Sequence, residues 1–296
     1  MQLQSSIMSS NNFENFYESS SDNKRIALTH WPVGNTEKTK KPKLVLVWIH
    51  GFAEHRNRYH HFAHFLAKNS IALVAVDLRG HGESAGPRGH IDKYEEYYFD
   101  VEVALKKAKE LYPNSTIILG AHSHGALVIA RFTQIFNSSV KYQAMVLTAP
   151  MFELSLEVPG WKKALGKVVS SVVGSLAVGN ELKATDLTHD KEIIKAHGED
   201  PLIFKIARAR WFSEVLENQS LVFQNMDKIK MPVLCLHGTA DKINSIDGST
   251  KFYEKLKKLN IAGCEMKAYD GFFHEVLNEI GRERVYQDIL DWLKEL

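Results

Sequence analysis

The sequence predicts a doubly wound α/β fold with a mostly parallel sheet, on three observations. Short apolar runs recur and end in turn signals, helix-length segments lie between them, and one long interval breaks the alternation. The runs are KLVLVWIHG (43–51), SIALVAVDLRG (70–80), STIILGAHSHG (115–125), YQAMVLTAP (142–150), MPVLCLHG (231–238) and CEMKAYDG (264–271). Each is almost continuously apolar, the pattern of strands covered by helices on both faces.

Taken in order, the region 23–34 (NKRIALTHWPVG), with the segment before it, can add an antiparallel edge hairpin. The run 43–51 is the first buried strand, and a helix over Tyr59–Asn69 leads to the run 70–80. Helices over Tyr98–Tyr112 and Gly125–Phe136 bracket the run 115–125. A helix over Thr250–Asn260 separates the last two runs, and Arg282–Leu296 closes the chain as another. Strand, helix and strand at this spacing build a parallel sheet with helices on both sides.

Between Pro150 and Pro232 the rhythm stops, with helical periodicity and no convincing strand. There Trp161, Leu165, Val168, Val169, Val172, Val173 and Leu176 recur at helical spacing, opposite lysines, serines and glycines. Such a stripe is an amphipathic helix. It can pack on its own domain, or serve as a lid whose apolar face meets an acyl chain or a membrane surface. Its valine pairs lower intrinsic helicity, so it needs a packing partner. The expected organisation is a core of residues 1–152 and 228–296 with a helical cap inserted as 153–227.

Composition narrows the function classes. Hydrophobic content of 44%, charged content of 24% and a net charge of +2 describe an ordinary globular chain, without a nucleic-acid footprint. Cys235 and Cys264 lie in apolar stretches and read as reduced core residues. The first twenty residues have neither a basic start nor an apolar run, so no signal peptide or membrane anchor is expected and the location reads as cytoplasmic.

The stretch LGAHSHGALV (119–128) places Ser123 between a strand and a helix, with small residues Ala121 and Gly125 two positions to either side. A tight strand-to-helix turn of this kind lifts a serine hydroxyl above the sheet edge. The helix start beyond it offers backbone N–H groups and a positive dipole end. A serine nucleophile needs a base, and the base needs an orienting carboxylate, both from loops after strand ends. LCLHGTADKI places Asp241 past one strand, and MKAYDGFFHEVLNE places His274 after the last. Ser…Asp…His is the chain order this fold uses. Asp270 and Asp247 are rival acids, Asp270 reading as a turn residue before Gly271. The loop WIHGFAEHR can aim the N–H of Phe52 at the serine, with the N–H of His124 as second oxyanion donor.

Five motifs in order, HGFAEHRNRY, DLRGHGESAGPRGHIDKYEEYYFDV, AHSHG, HGTADKI and FFHEVLNE, resemble the monoacylglycerol lipase and lysophospholipase branch of the α/β-hydrolases. The resemblance runs from about Lys43 to Leu296, with 153–227 standing where that family carries its cap. It implies an α/β-hydrolase fold and a serine ester hydrolase without cofactor or metal. Ser123 would be nucleophile, Asp241 acid and His274 base, with the Phe52 and His124 amides as oxyanion hole. The implied substrates are single-chain lipid esters, monoacylglycerol or lysophospholipid; a carboxylesterase or thioesterase for shorter acyl groups is the rival. Ala121 departs from the usual glycine. His124 stands where the family more often has methionine, and is expected to put a titratable ring beside the acyl pocket.

Other features carry less. His60 and His64 share a helical face, but no third metal ligand stands at useful spacing. The glycine-rich loop DLRGHGESAGPRGH lacks a Walker lysine–serine pair and reads as structural. Glu54 can set the first loop through a nearby arginine, and His237 can serve the turn presenting Asp241. Trp211 and Phe212 can line an acyl channel or pack the cap; neither is assigned.

Overall fold

The computed structural model describes residues 13–33, 42–155, 174–179 and 182–296. Its strands are β1 (Glu14–Ser19), β2 (Arg25–Trp31), β3 (Leu44–Ile49), β4 (Ile71–Val76), β5 (Thr116–His122), β6 (Met145–Thr148), β7 (Ala177–Gly179), β8 (Ile206–Arg208), β9 (Val233–Gly238) and β10 (Glu265–Tyr269). The described α-helices are α1 (His60–Lys68), α2 (Glu96–Leu111), α3 (His124–Ile135), α4 (Lys191–Glu199), α5 (Ala209–Gln224), α6 (Ile246–Lys258) and α7 (Glu283–Glu295). Eight strands form one sheet in the order β1-β2-β4-β3-β5-β6-β9-β10. All pairings from β4 to β10 are parallel, and the β1–β2 hairpin joins β4 antiparallel at the edge, as the sequence predicts.

Five of the six apolar runs form strands covered on both faces, while the last, β10, lies at the sheet edge with Glu265, Met266 and Lys267 half-buried and Ala268 exposed. Along β3, Val45, Val47 and Ile49 join one core with α2, α3 and α6, while Leu46 and Trp48 join a second with α1 and α7. Trp48 is fully buried against Tyr59 and Phe62. Burying side chains of this size contributes roughly 1.5–3 kcal/mol each, which is why an alternating pattern is absent. Helix α6 begins four residues before the predicted start, because the Ser245 side chain accepts from the Asp247 N–H and caps it there.

The order in which strands are added reverses at β3, with β4 on one side and β5 on the other. The loops after β3 and β5 therefore part at the carboxyl end of the sheet and open a crevice, the usual ligand position in such sheets. Between β6 and β9 the chain departs from expectation, since β7 and β8 pair antiparallel as a separate two-stranded ribbon. Each has three residues, too few to show a period in the sequence. The amphipathic stripe falls at Trp161, Leu165, Val168, Val169, Val172 and Val173, which lie outside the described residues; Leu176 is described and exposed.

Candidate active site

Ser123 sits at the turn from β5 into α3 with φ 52° and ψ −116°, left-handed backbone that a non-glycine residue adopts only when its surroundings enforce it. Those surroundings are β6 and the chain beyond it. The Ser123 N–H donates to the Thr148 carbonyl at 2.9 Å, and the Met151 N–H donates to the Ser123 carbonyl at 3.0 Å. A Cβ on Gly125 would stand 2.4 Å from the His50 carbonyl oxygen, so only glycine lets α3 approach β3 this closely. Ala121 is fully buried and accommodated. Although Ser123 occupies the N-cap position of α3, its hydroxyl caps nothing. It points instead at His274.

The Ser123 Oγ lies 2.9 Å from His274 Nε2, and His274 Nδ1 lies 2.7 Å from Asp241 Oδ2. Since the carboxylate can only accept, Nδ1 carries the imidazole proton and Nε2 is left to accept from the hydroxyl. Burial disfavours a charged His274, but the neighbouring Asp241 charge and its hydrogen bond outweigh that and raise the ring above its ordinary value. Burial would likewise raise the Asp241 carboxyl. The His274 ring and the bonds from His237 and His274 instead hold it well below the usual carboxylate range. Asp241 Oδ1 accepts from the N–H groups of Ile243 (2.8 Å) and Asn244 (3.0 Å), so the loop after β9 fixes the carboxylate. His237 Nε2 is 3.1 Å from Asp241 Oδ2 and its Nδ1 is 2.7 Å from Ser249 Oγ, which ties the presenting turn to α6. The rival acids stand elsewhere: Asp270 accepts from Thr239 beside Gly271, and Asp247 lies in the first turn of α6.

The loop after β3 forms the facing wall. Its shape is set by Glu54, whose Oε1 accepts from the Gly51 N–H and the Tyr59 hydroxyl, both at 2.6 Å. Glu54 Oε2 accepts from Arg58 at 2.7 Å, the arginine partner foreseen for it. The same guanidinium grips Glu275 through both oxygens, at 2.6 and 2.8 Å. These groups are almost completely buried. Burial works against the Glu275 charge, yet Arg58 holds its carboxyl well below the usual range. Glu275 adjoins His274 in the chain, so this ion network fixes the backbone that carries the imidazole.

Sequence reasoning missed the Arg58–Glu275 pair, whose partners are 217 positions apart and share no local pattern. It also missed Asn244, whose Nδ2 donates to Ser123 Oγ at 3.3 Å and to the Ala149 carbonyl at 2.8 Å. Its only cue is its place three residues past Asp241 in the same loop.

Ser123 and His274 line a pocket whose walls are of mixed character. Glu54, Arg58, His122, His197 and Glu275 form polar walls, whereas Met151, Leu187, Ile203, Phe204 and Ile243 form apolar ones. Leu187, Ile203 and Phe204 come from the interval between β6 and β9. Phe52 lines the pocket, and His124 opens α3, where its N–H has no intrahelical acceptor. The His124 ring is not where it was expected. It is fully buried outside the pocket lining, among the rings of Phe52, Tyr94, Tyr97 and Trp211. Burial pushes its pKa down to about 3, so it is neutral and does not titrate in the physiological range. His60 and His64 share the exposed face of α1, away from these groups.

The sequence profile of the serine aminopeptidase S33 hydrolases matches residues 40–281. A monoacylglycerol lipase of Mycolicibacterium smegmatis is 29% identical over 85% of this chain and 88% of its own length. An uncharacterized abhydrolase-domain protein of Dictyostelium discoideum is 26% identical over 93% of this chain, which spans only 28% of that longer protein. Among solved structures, a monoacylglycerol lipase of Paleococcus ferrophilus has a TM-score of 0.78 at 26% identity, covering 90% of this chain and 98% of that one.

Proposed function

The chain belongs to the serine aminopeptidase S33 family, as a serine hydrolase of α/β-hydrolase fold, and from that premise we propose that it cleaves single-chain lipid esters, monoacylglycerol or lysophospholipid. The observation that carries the proposal is the Ser123–His274–Asp241 line, at 2.9 and 2.7 Å, whose Ser123 and His274 line a pocket with both polar and apolar side chains. The similarity to a lipase named for monoacylglycerol supports the substrate class. In this reading the acyl chain lies along the apolar wall and the glycerol end against Glu54, Arg58 and His122. Residues 153–227 act as a cap on a core of 1–152 and 228–296.

The reaction follows from the bonds. His274 Nε2 takes the Ser123 proton as Oγ attacks the ester carbonyl, and the N–H groups of Phe52 and His124 receive the oxyanion. Collapse of the tetrahedral intermediate expels the alcohol, protonated by His274, and leaves an acyl-serine. Water, deprotonated by His274, then releases the fatty acid and restores the serine. Base catalysis contributes roughly 10²–10⁴ in rate, and one oxyanion donor roughly 10²–10³. Asp241 keeps the imidazole in the right tautomer and stabilises its charged form.

Ser123→Ala is expected to abolish ester hydrolysis with the fold intact, read by rate and circular dichroism; turnover close to that of the unaltered protein would remove the nucleophile. Rates over p-nitrophenyl esters and monoacylglycerols of graded length test the substrate class. A maximum at medium or long chains is expected, and one at two to four carbons would favour the short-chain carboxylesterase or thioesterase alternative. Among the described residues no helix is long and apolar enough to cross a membrane. The lipid contact proposed here is peripheral, through the cap, and flotation with anionic vesicles measures it.

A further inference from the structure

Trp211 stands in the first turn of α5, in the interval inserted between β6 and β9, yet its ring is packed on the core. It stacks on Phe52 with ring centroids 3.6 Å apart and planes 22° apart, and meets the His124 ring edge-on at 5.3 Å. These are the two residues whose backbone N–H groups face the oxyanion in the function proposed above. The first loop is strained where the ring presses, since Ala53 has φ 65°. The interval grips that loop a second time nearby, the Phe204 N–H donating to the Ala53 carbonyl at 3.3 Å. Helix α5 is itself anchored: the Arg210 side chain donates to the Asp92 carbonyl, Glu214 accepts from the Tyr94 N–H, and Gln219 donates to the Met151 carbonyl.

Two further observations define what this position uses. Trp211 is 4% exposed, with its ring face stacked on Phe52 and its indole N–H toward the Tyr97 hydroxyl, so the whole side chain is held in place there. Trp211 is also absent from the pocket lining, so it does not touch an acyl chain in that pocket. We propose, resting on the oxyanion reading above, that Trp211 is a positioning residue: it clamps the Phe52 and His124 side chains together and so sets the angle of their amides toward the reacting carbonyl. The inserted interval thereby completes the catalytic geometry of the core, and does more than cover the pocket. Displacing α5 would release the first loop and weaken the oxyanion hole.

The test uses the full chain carrying Trp211→Ala, Trp211→Leu or Trp211→Phe, with p-nitrophenyl acetate, whose acyl group is too short to need the apolar wall. Active sites are counted by the burst amplitude with a p-nitrophenyl phosphonate, so that unfolded molecules do not enter kcat. Trp211→Ala and Trp211→Leu should each lower kcat per titrated site by at least about tenfold, a fraction of what one full oxyanion donor is worth, with KM changed little. Trp211→Phe, which keeps a flat ring, should recover most of the loss. Trp211→Leu retains an apolar side chain there, so it serves if Trp211→Ala does not fold. Unchanged kcat per site, or a change confined to KM, would overturn the positioning role while leaving Ser123 as nucleophile. Activity surviving in Ser123→Ala would instead overturn the underlying function, whatever Trp211 does.

Discussion

His122 and His124 stand on either side of one serine, and the two regions they enter are opposite in character. His122 lies 3.1 Å from the Thr148 hydroxyl, with its ring 4.7 Å from that of His274, and faces the charges of Glu54, Arg58 and Glu275. His124 meets only aromatic neighbours among its ring contacts, and neither of its nitrogens has a hydrogen-bond partner. Burial pushes both down, to about 4 and about 3, with the His274 charge adding to the effect at His122. The same residue type therefore takes two roles across a single turn. On the first side the neutral imidazole lies between the His274 ring and a cluster of buried charges; on the second it is a flat plate in an aromatic wall.

The comparison is broken most severely on the polar side. Asp241→Asn should lower kcat by on the order of 10⁴, because an amide at this position favours the wrong imidazole tautomer. The measurement is kcat with folding checked by thermal melting, and a loss below tenfold would make Asp241 dispensable. Arg58→Met should come next, acting on stability. It leaves Glu54 and Glu275 buried without their shared cation, a defect costing about 3–5 kcal/mol. A urea midpoint equal to that of the unaltered protein would mean that the network carries no net energy.

A third test is pH. His274 must be neutral to accept the serine proton, and its value is raised above the ordinary 6.5. The acid limb of kcat/KM should therefore have its midpoint above 6.5, and move lower in the residual activity of Asp241→Asn. Stability has contributions of opposite sign. Raised His274 favours the fold at pH below its unfolded value, and this contribution is lost as pH rises through the folded one. Depressed Asp241 and Glu275 favour the fold above their unfolded values near about pH 4, and that contribution is lost as pH falls toward their folded values. A thermal-melt series should thus show stability falling in two stages on the acid side, first below about pH 6.5 as the buried neutral His122 and His124 resist protonation, then below about pH 4 as the carboxylates are lost.

The smallest effect is expected on the apolar side. His124→Met removes two buried nitrogens that bond to nothing and fills the space with an adaptable apolar chain. Stability should change by less than about 1.5 kcal/mol, with kcat lowered less than by Trp211→Leu because the stacked Phe52 half of the clamp remains. A large loss would show that the imidazole itself, and not its bulk, is needed.

The two sides also differ in how far sequence could disclose them. Ser123, Asp241 and His274 each sit just beyond a strand that is legible by itself, so their meeting follows from the order of the sheet. Glu54 and Arg58 lie within one short loop, and that link was visible too. Glu275 was not, since its partner comes from the other end of the chain. The setting of His124 was hidden for the same reason: its aromatic neighbours come from the loop after β3, the start of α2 and α5. The β7–β8 ribbon escaped because three residues hold no period.

Both backbone groups of Ser123 are bonded to the strand and turn that follow α3. A growing chain that has not yet reached Met151 therefore cannot hold the serine in its bent conformation. His274, and Glu275 that pairs with Arg58, arrive later still, beyond the last strand of the sheet. In the proposed reading, competence to hydrolyse therefore comes only after every strand of the sheet has been made.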